Sequence, residues 1–249
     1  MIEGAAPVWA PPFFVRRWRM PEDTPSDWPE GVPHRLYGRR RGHKLRPRQE
    51  RLLSDAVPRI RFSDLSFAAG ASALWLEVGF GGGEHTLALL REHPTTAIIA
   101  SEVYEHGLCS LLTEIVPDGQ EATFPLPERL RLWPADAREL LLGLPEASLD
   151  RLYLMFPDPW PKTRHAKRRF VHPEMLPIVA RVLKPGAQWR IASDDPTYQA
   201  WVEEVLRPSP LFTADAPAEE RPEGWPPTRY EAKAIAAGRT PKYWVWTRA

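Results

Sequence analysis

The sequence predicts an α/β fold: a mostly parallel sheet with helices on both faces. Three observations lead there. Between residues 74 and 206, apolar runs alternate with helix-period segments five times, and repeated strand–helix units pack as a parallel sheet covered on both sides. Runs such as LWLEV (74–78) and LDRLYLMF (149–156) are nearly continuous rather than alternating, as buried strands are. A glycine cluster at 79–83 joins the first run to the first long helix, a usual place for a ligand to meet such a sheet.

Residues 1–33 are rich in Pro and Trp, lack periodicity and are expected to form an irregular arm. A single domain is expected over 34–249. It opens with a basic lead-in, 34–61, carrying ten Lys/Arg against two acids and a short helix near 48–57. Strand 74–78 is followed by a helix over 84–93, with Leu87, Ala88 and Leu90 on one side. TAIIASE (96–102) is the second strand, with a helix over 107–116. RLRLW (129–133) is the third, with a short helix over 137–142. LDRLYLMF is the fourth. Pro173 opens the next helix, since proline is tolerated in a first turn, and Lys184-Pro185-Gly186 stops it. AQWRIAS (187–193) is the fifth strand, with a helix over 196–206. Strand candidates at 211–214 and 243–247 enclose a polar insertion, 215–240.

The chain of 249 residues carries a net charge of only +1, but its cations are segregated. Residues 162–169 add five Lys/Arg with no acid. Such patches on a near-neutral protein point to a directed surface for a polyanion. One cysteine, Cys109, excludes an intrachain disulfide framework and a multi-cysteine zinc site; no metal site is expected. No run reaches membrane-span length, and the proline-interrupted N-terminus is a poor signal peptide. The expected location is the cytoplasm, without a membrane or an obligatory protein partner.

In an open α/β sheet, ligands sit outside the carboxyl ends of the strands. Glu77, Gly79, Gly81, Glu102, Asp136 and Asp158 all fall at or just after such ends. The glycine loop is not a dinucleotide fingerprint, because Glu84 stands where G-x-G-x-x-G needs its last glycine. An acid at that helix start also repels phosphate. Glu77 suits a cationic group. Glu102 lies 23 residues beyond Gly79, where an acid accepts from ribose hydroxyls. Asp136 can reach an adenine edge. The implied ligand is a cationic nucleoside without phosphates, and S-adenosylmethionine fits.

The blocks EVGFGGGEHT (77–86), SEVYEHG (101–107), ADARELL (135–141), FPDPWPKTRHAKRR (156–169), SDDPTYQAW (193–201) and TRYEAKAIAAGR (228–239), with the lead-in YGRRRGHKLRPRQ (37–49), resemble the bacterial tRNA (guanine-N7-)-methyltransferase family. That family belongs to the Rossmann-like class I S-adenosylmethionine-dependent methyltransferases. The resemblance runs from about residue 35 to the C-terminus. It implies a seven-stranded sheet with an antiparallel last strand, S-adenosyl-L-methionine as cofactor and tRNA as substrate. It further implies methyl transfer to N7 of the variable-loop guanine, position 46.

Carried over block by block, the resemblance implies cofactor contacts from Glu77, Glu102 and Asp136, and a catalytic Asp158 between cofactor and base. Substrate contacts are implied for Lys162, Asp194, Thr228, Arg229, Tyr230 and Glu231. Arg164, His165, Lys167, Arg168 and Arg169, with Arg39, Arg40 and Arg41, are expected along RNA phosphates, which position a substrate without specifying sequence. The family often has an amide side chain before Asp136, where this chain has Trp133-Pro134-Ala135, and PDGQEATFPLPE (117–128) is longer than the usual connection.

N7 of guanine is an unprotonated acceptor, so no general base is required. Asp158 can offset the growing ring charge or orient the base, and both roles fit the sequence. The alternatives are methylation of an exocyclic amine, whose Asn/Asp-Pro-Pro-aromatic motif orders its prolines differently from Pro157-Asp158-Pro159-Trp160, and a methyltransferase-like module that binds RNA without turnover.

Overall fold

A computed structural model describes residues 40–249; the arm expected over 1–33, and Arg39, lie outside the described residues. The lead-in forms α1 (Pro47–Arg51) and α2 (Val57–Ile60), joined by a π-helical turn, Leu52–Ala56. Pro58 explains the widened turn. It lacks an amide, and its ring crowds the carbonyl four residues back, so the Val57 amide bonds five residues back, to Leu52. A 3₁₀ turn, Leu65–Ala68, leads to β1 (Ala73–Val78), α3 (Glu84–Glu92), β2 (Thr96–Ser101) and α4 (Glu105–Ile115). Next come β3 (Leu130–Trp133), α5 (Ala137–Gly143) and β4 (Leu149–Met155). A 3₁₀ helix, Thr163–Arg168, precedes α6 (Met175–Val182), β5 (Leu183–Ser193), α7 (Pro196–Leu206), β6 (Phe212–Thr213), α8 (Arg229–Ala236) and β7 (Lys242–Arg248).

The strands form one sheet in the order β3-β2-β1-β4-β5-β7-β6. β1 to β5 run parallel, and β7 is antiparallel to both β5 and β6. The expected seven-stranded, mostly parallel sheet with an antiparallel last strand is present. The chain leaves β1 toward β2 on one side and returns as β4 on the other, so the loops after β1 and β4 flank the topological switch point.

Alternate residues of β1 explain the two layers. Leu74, Leu76 and Val78 join a core with Leu140, Leu141, Leu176, Val179, Tyr198 and Val202 of α5, α6 and α7. Trp75 points the other way, into a core with Leu52, Leu89, Leu108, Leu111 and Leu112. Burying β1 and β2 on both faces is what their near-continuous apolar runs require.

Three local expectations are corrected. The helix expected from Pro173 begins at Met175, after a turn. Lys184-Pro185-Gly186 does more than end it: these residues enter β5, whose pairing with β4 shifts register between Leu149 and Arg151. The insertion contains α8, which hydrophobic periodicity missed because only Glu231 and Ala234 of this helix are buried.

Candidate active site

Gly79, Gly81 and Gly83 all have φ between +61° and +88°, which favours glycine. The backbone amide of Gly81 donates to Glu102 Oε2 at 2.8 Å, while Glu102 Oε1 accepts from the amides of Val103 (2.8 Å) and Tyr104 (2.9 Å). One acid thus ties the loop after β1 to the end of β2. The fit is close, since a Cβ on Gly107 of α4 would lie 2.4 Å from the Gly81 carbonyl oxygen. Glu102 is only 9% exposed, and burial raises its pKa, with the charge of Asp158 a smaller push in the same direction. A carboxylate offers about four lone-pair sites. Three are taken, so Oε2 keeps one for a further donor.

Glu77 is the next-to-last residue of β1. It is 1% exposed; His85 Nδ1 lies 2.9 Å from Oε1, and the Thr86 hydroxyl donates to Oε2 at 2.5 Å. Its carboxylate thus engages the first turn of α3, and each oxygen keeps a lone pair for a further donor. Asp136 is the N-cap of α5: Oδ1 accepts from the Arg138 amide at 2.9 Å, and Oδ2 pairs with the Arg138 guanidinium at 3.2 Å. Each oxygen retains a lone pair, so the acid can still meet a donor at the mouth of the sheet.

Asp158 has no such partner. It is exposed and makes no hydrogen bond or ion pair with any described residue. The loop carrying it is held at both ends. The Phe156 amide donates to the Ala192 carbonyl at 2.8 Å. At the other end, Arg169 donates through Nε to the Pro159 carbonyl and through a terminal nitrogen to the Trp160 carbonyl, both at 3.1 Å. Phe156 and Trp160 have φ of 52° and 43°, a conformation that costs bulky residues about 1–3 kcal/mol and concentrates at functional sites.

The cationic run divides. Lys162, Arg164 and Lys167 are exposed and form no ion pair with described residues. His165 lies edge-on to Trp160 with ring centroids 5.9 Å apart; desolvation first, then Arg168, Arg164 and Lys162, lowers its pKa. Arg168 stacks 4.8 Å over Trp160. Arg169, expected along the RNA phosphates, lies in the interior: it is 4% exposed and 4.7 Å over Trp201. Its neighbours Phe170 and Val171 enter the core, which is the sequence signal that the run turns inward.

The substrate set divides too. Asp194 is paired with Arg239. Thr228 and Glu231 form a capping box on α8, and Glu231 also accepts from Arg221 (3.0 Å) and the Tyr243 hydroxyl (2.7 Å). Both side chains thus also hold the fold of the insertion. Tyr230 and Arg229 face outward. The Tyr230 ring lies over the glycine loop, 3.0 Å from where a Gly81 Cβ would stand, and Arg229 approaches Glu84 at 3.7 Å. Arg40 and Arg41 are exposed on a strap crossing the start of α4, where the Glu105 amide donates to the Arg40 carbonyl and Arg41 pairs with the Glu105 carboxylate at 3.4 Å. Arg48 and Arg51 instead bind Asp118 and Glu121 in the 117–128 connection, so part of the lead-in is structural. Burial pushes the Cys109 thiol up to about 11, which makes it a poor nucleophile.

A family model described as "Putative methyltransferase" matches residues 71–243. A curated tRNA (guanine-N(7)-)-methyltransferase of Granulibacter bethesdensis is 62% identical over 87% of this chain and 96% of its own length. One from Rhodospirillum rubrum is 40% identical, over 92% and 91%. Among solved structures, the 16S rRNA methyltransferase KamB matches with a TM-score of 0.55 at 17% identity, covering 76% of this chain and 95% of its own. An antibiotic-related methyltransferase matches with a TM-score of 0.52 at 15% identity, covering 76% and 98%. Likeness at that identity bears on the fold alone.

Proposed function

Because the chain belongs to the tRNA (guanine-N(7)-)-methyltransferase family, we propose that it transfers a methyl group from S-adenosylmethionine to N7 of a guanine in tRNA. The observation that carries this reading is Asp158: an exposed, unpaired acid at the switch point, in a loop anchored at both ends and close enough to Glu102 for their charges to interact. We assign the variable-loop guanine, position 46, as the target on family resemblance. The assignment of a cytoplasmic enzyme without an obligatory protein partner is part of the same proposal; among the described residues no helix is long and apolar enough to cross a membrane.

The residues fit the cofactor. The glycine loop lets a ligand approach the backbone closely, Glu102 has one lone pair left for a ribose hydroxyl, and Asp136 stands at the end of β3 for the adenine. Glu84 in the first turn of α3 disfavours phosphate there. When bound, the cofactor supplies an electrophilic methyl group on a sulfonium. The chain's own contribution is alignment, a large part of such catalysis. Glu77 braces α3 from beneath, Glu102 sets the loop, and Asp158 faces the base. N7 has no proton to lose, so Asp158 acts by its charge on a ring that becomes cationic, or by accepting donors from the base. Lys162, Arg164 and Lys167 hold phosphates beside it, with Arg40 and Arg41 extending the track past α4; Tyr230 and Arg229 border the base from the insertion.

Incubation with unmodified tRNA and labelled S-adenosylmethionine, followed by chain cleavage selective for N7-methylguanosine, tests the assignment. Cleavage at position 46 is expected. Label without selective cleavage would move the product to an exocyclic nitrogen, and tRNA binding without label would leave a binding module.

A further inference from the structure

We propose that Arg169 is a positioning residue for Asp158: its guanidinium fixes the loop that aims the acid. The inference rests on the proposed methyl transfer and adds a residue to it. Arg169 spans two consecutive carbonyls, Pro159 and Trp160, the two that follow Asp158 in the chain. A planar guanidinium suits this task, since its fork delivers two N–H donors in fixed directions. Its far face rests on Trp201 at 4.7 Å, and the Trp201 indole N–H donates to the Val171 carbonyl at 2.6 Å, so the platform is itself fixed. The clamp therefore reaches from α7 to the loop through a buried guanidinium.

The loop needs a clamp. Pro157 and Pro159 supply no amide for hydrogen bonding. Trp160 adopts φ of 43°, a conformation that persists only where its surroundings enforce it. Arg169 satisfies two carbonyls of this loop, C-terminal to Asp158, while the Phe156–Ala192 hydrogen bond holds its N-terminal side. With both ends fixed and a proline on either side, Asp158 has little backbone freedom left. A charge held in this way does not answer to the RNA backbone: Arg169 is 4% exposed, whereas Arg164 and Lys167 beside it are exposed.

Arg169→Lys separates the two roles, because it keeps the charge and loses the fork. The expected result is a fall in kcat on the order of 10²-fold, the scale of a small misplacement of a reacting group, with the Kd for S-adenosylmethionine and the Kd for tRNA little changed. Arg169→Ala is expected to leave the salt slope of tRNA binding where it is. A slope reduced by about one would make Arg169 a phosphate contact and overturn the proposal, as would full kcat in Arg169→Lys. Trp201→Leu removes the platform while leaving charge and loop sequence intact. It covers the case in which Arg169 variants do not fold: kcat measured below its melting transition should fall, and an unchanged kcat would overturn the proposal. Wild-type protein in the same assay separates this from the parent reading. If the wild type places no label at N7, the methyl-transfer assignment fails; if it does and both variants match it, only the clamp fails.

Discussion

Glu102 accepts the backbone amide of Gly81 at 2.8 Å, so the acid that ends β2 also sets the loop that follows β1. The two halves of the ligand edge are thereby one unit. A ligand that engages Glu102 meets a loop already shaped by it, and a change in the carboxylate is felt by both.

The raised pKa of Glu102 gives this unit a pH signature. Its ionised form accepts hydroxyl donors, so affinity for S-adenosylmethionine should fall as pH drops through the Glu102 pKa, which lies above the ordinary carboxylate value. Protonation of Glu102 stabilises the ligand-free fold, and that contribution is lost as pH rises through the same pKa. Titration calorimetry from pH 8 down through the ordinary carboxylate range reads the effect. Glu102→Gln should weaken binding about 10- to 100-fold at pH 8, the scale of a hydrogen bond to a charged group, and flatten the pH dependence. Binding equal to wild type would remove Glu102 from the site.

Asp158→Ala should lower kcat on the order of 10²-fold or more while cofactor affinity changes little. Asp158→Asn keeps the shape and discards the charge. If Asp158 offsets ring charge, Asn should be as poor as Ala; if it orients the base, Asn should recover part of the rate. Equal loss of turnover and cofactor affinity in both variants would mean that Asp158 serves binding.

Arg164 is exposed and forms no ion pair with described residues. Arg164→Ala should weaken all tRNAs alike and reduce the slope of log K against log salt by about one, read by filter binding across salt concentrations. A loss confined to one tRNA would indicate a base contact.

The 117–128 connection predicts acid sensitivity. Arg51 holds Glu121 down to about 2, chiefly by a side-chain hydrogen bond at 3.2 Å. A depressed carboxylate contributes stability that is full above its unfolded value, about 4.3, and that is lost as pH falls toward 2. Arg51→Met should lower Tm at pH 7, and the gap to wild type should narrow steadily as pH falls from about 4.3 toward about 2. A gap independent of pH would show that the pair contributes through packing alone.

The parallel strands and the sheet edge they build were legible because each apolar run is flanked by a turn or an acid at its carboxyl end. Asp158 and the glycine loop follow from that geometry. What pattern could not show was where side chains spend their hydrogen bonds. Glu77 and Asp136 look alike as acids at strand ends, yet one bonds His85 and Thr86 and the other caps α5. Thr228 and Glu231 carry the spacing of a capping box, and they form one at the start of α8. Arg169 reads as the fifth cation of a run, and only the Phe-Val that follows marks it as interior. Partners distant in sequence, such as Arg239 for Asp194, have no local signal at all.

The most direct test of the central claim replaces the reacting atom. A tRNA transcript in which guanine is replaced by 7-deazaguanine keeps the exocyclic amine and carries carbon where N7 would be. Incubated with the protein and labelled S-adenosylmethionine, it should take up no label, while the unmodified transcript is labelled to completion. Equal labelling of both transcripts would place the methyl group on another atom and contradict the assignment.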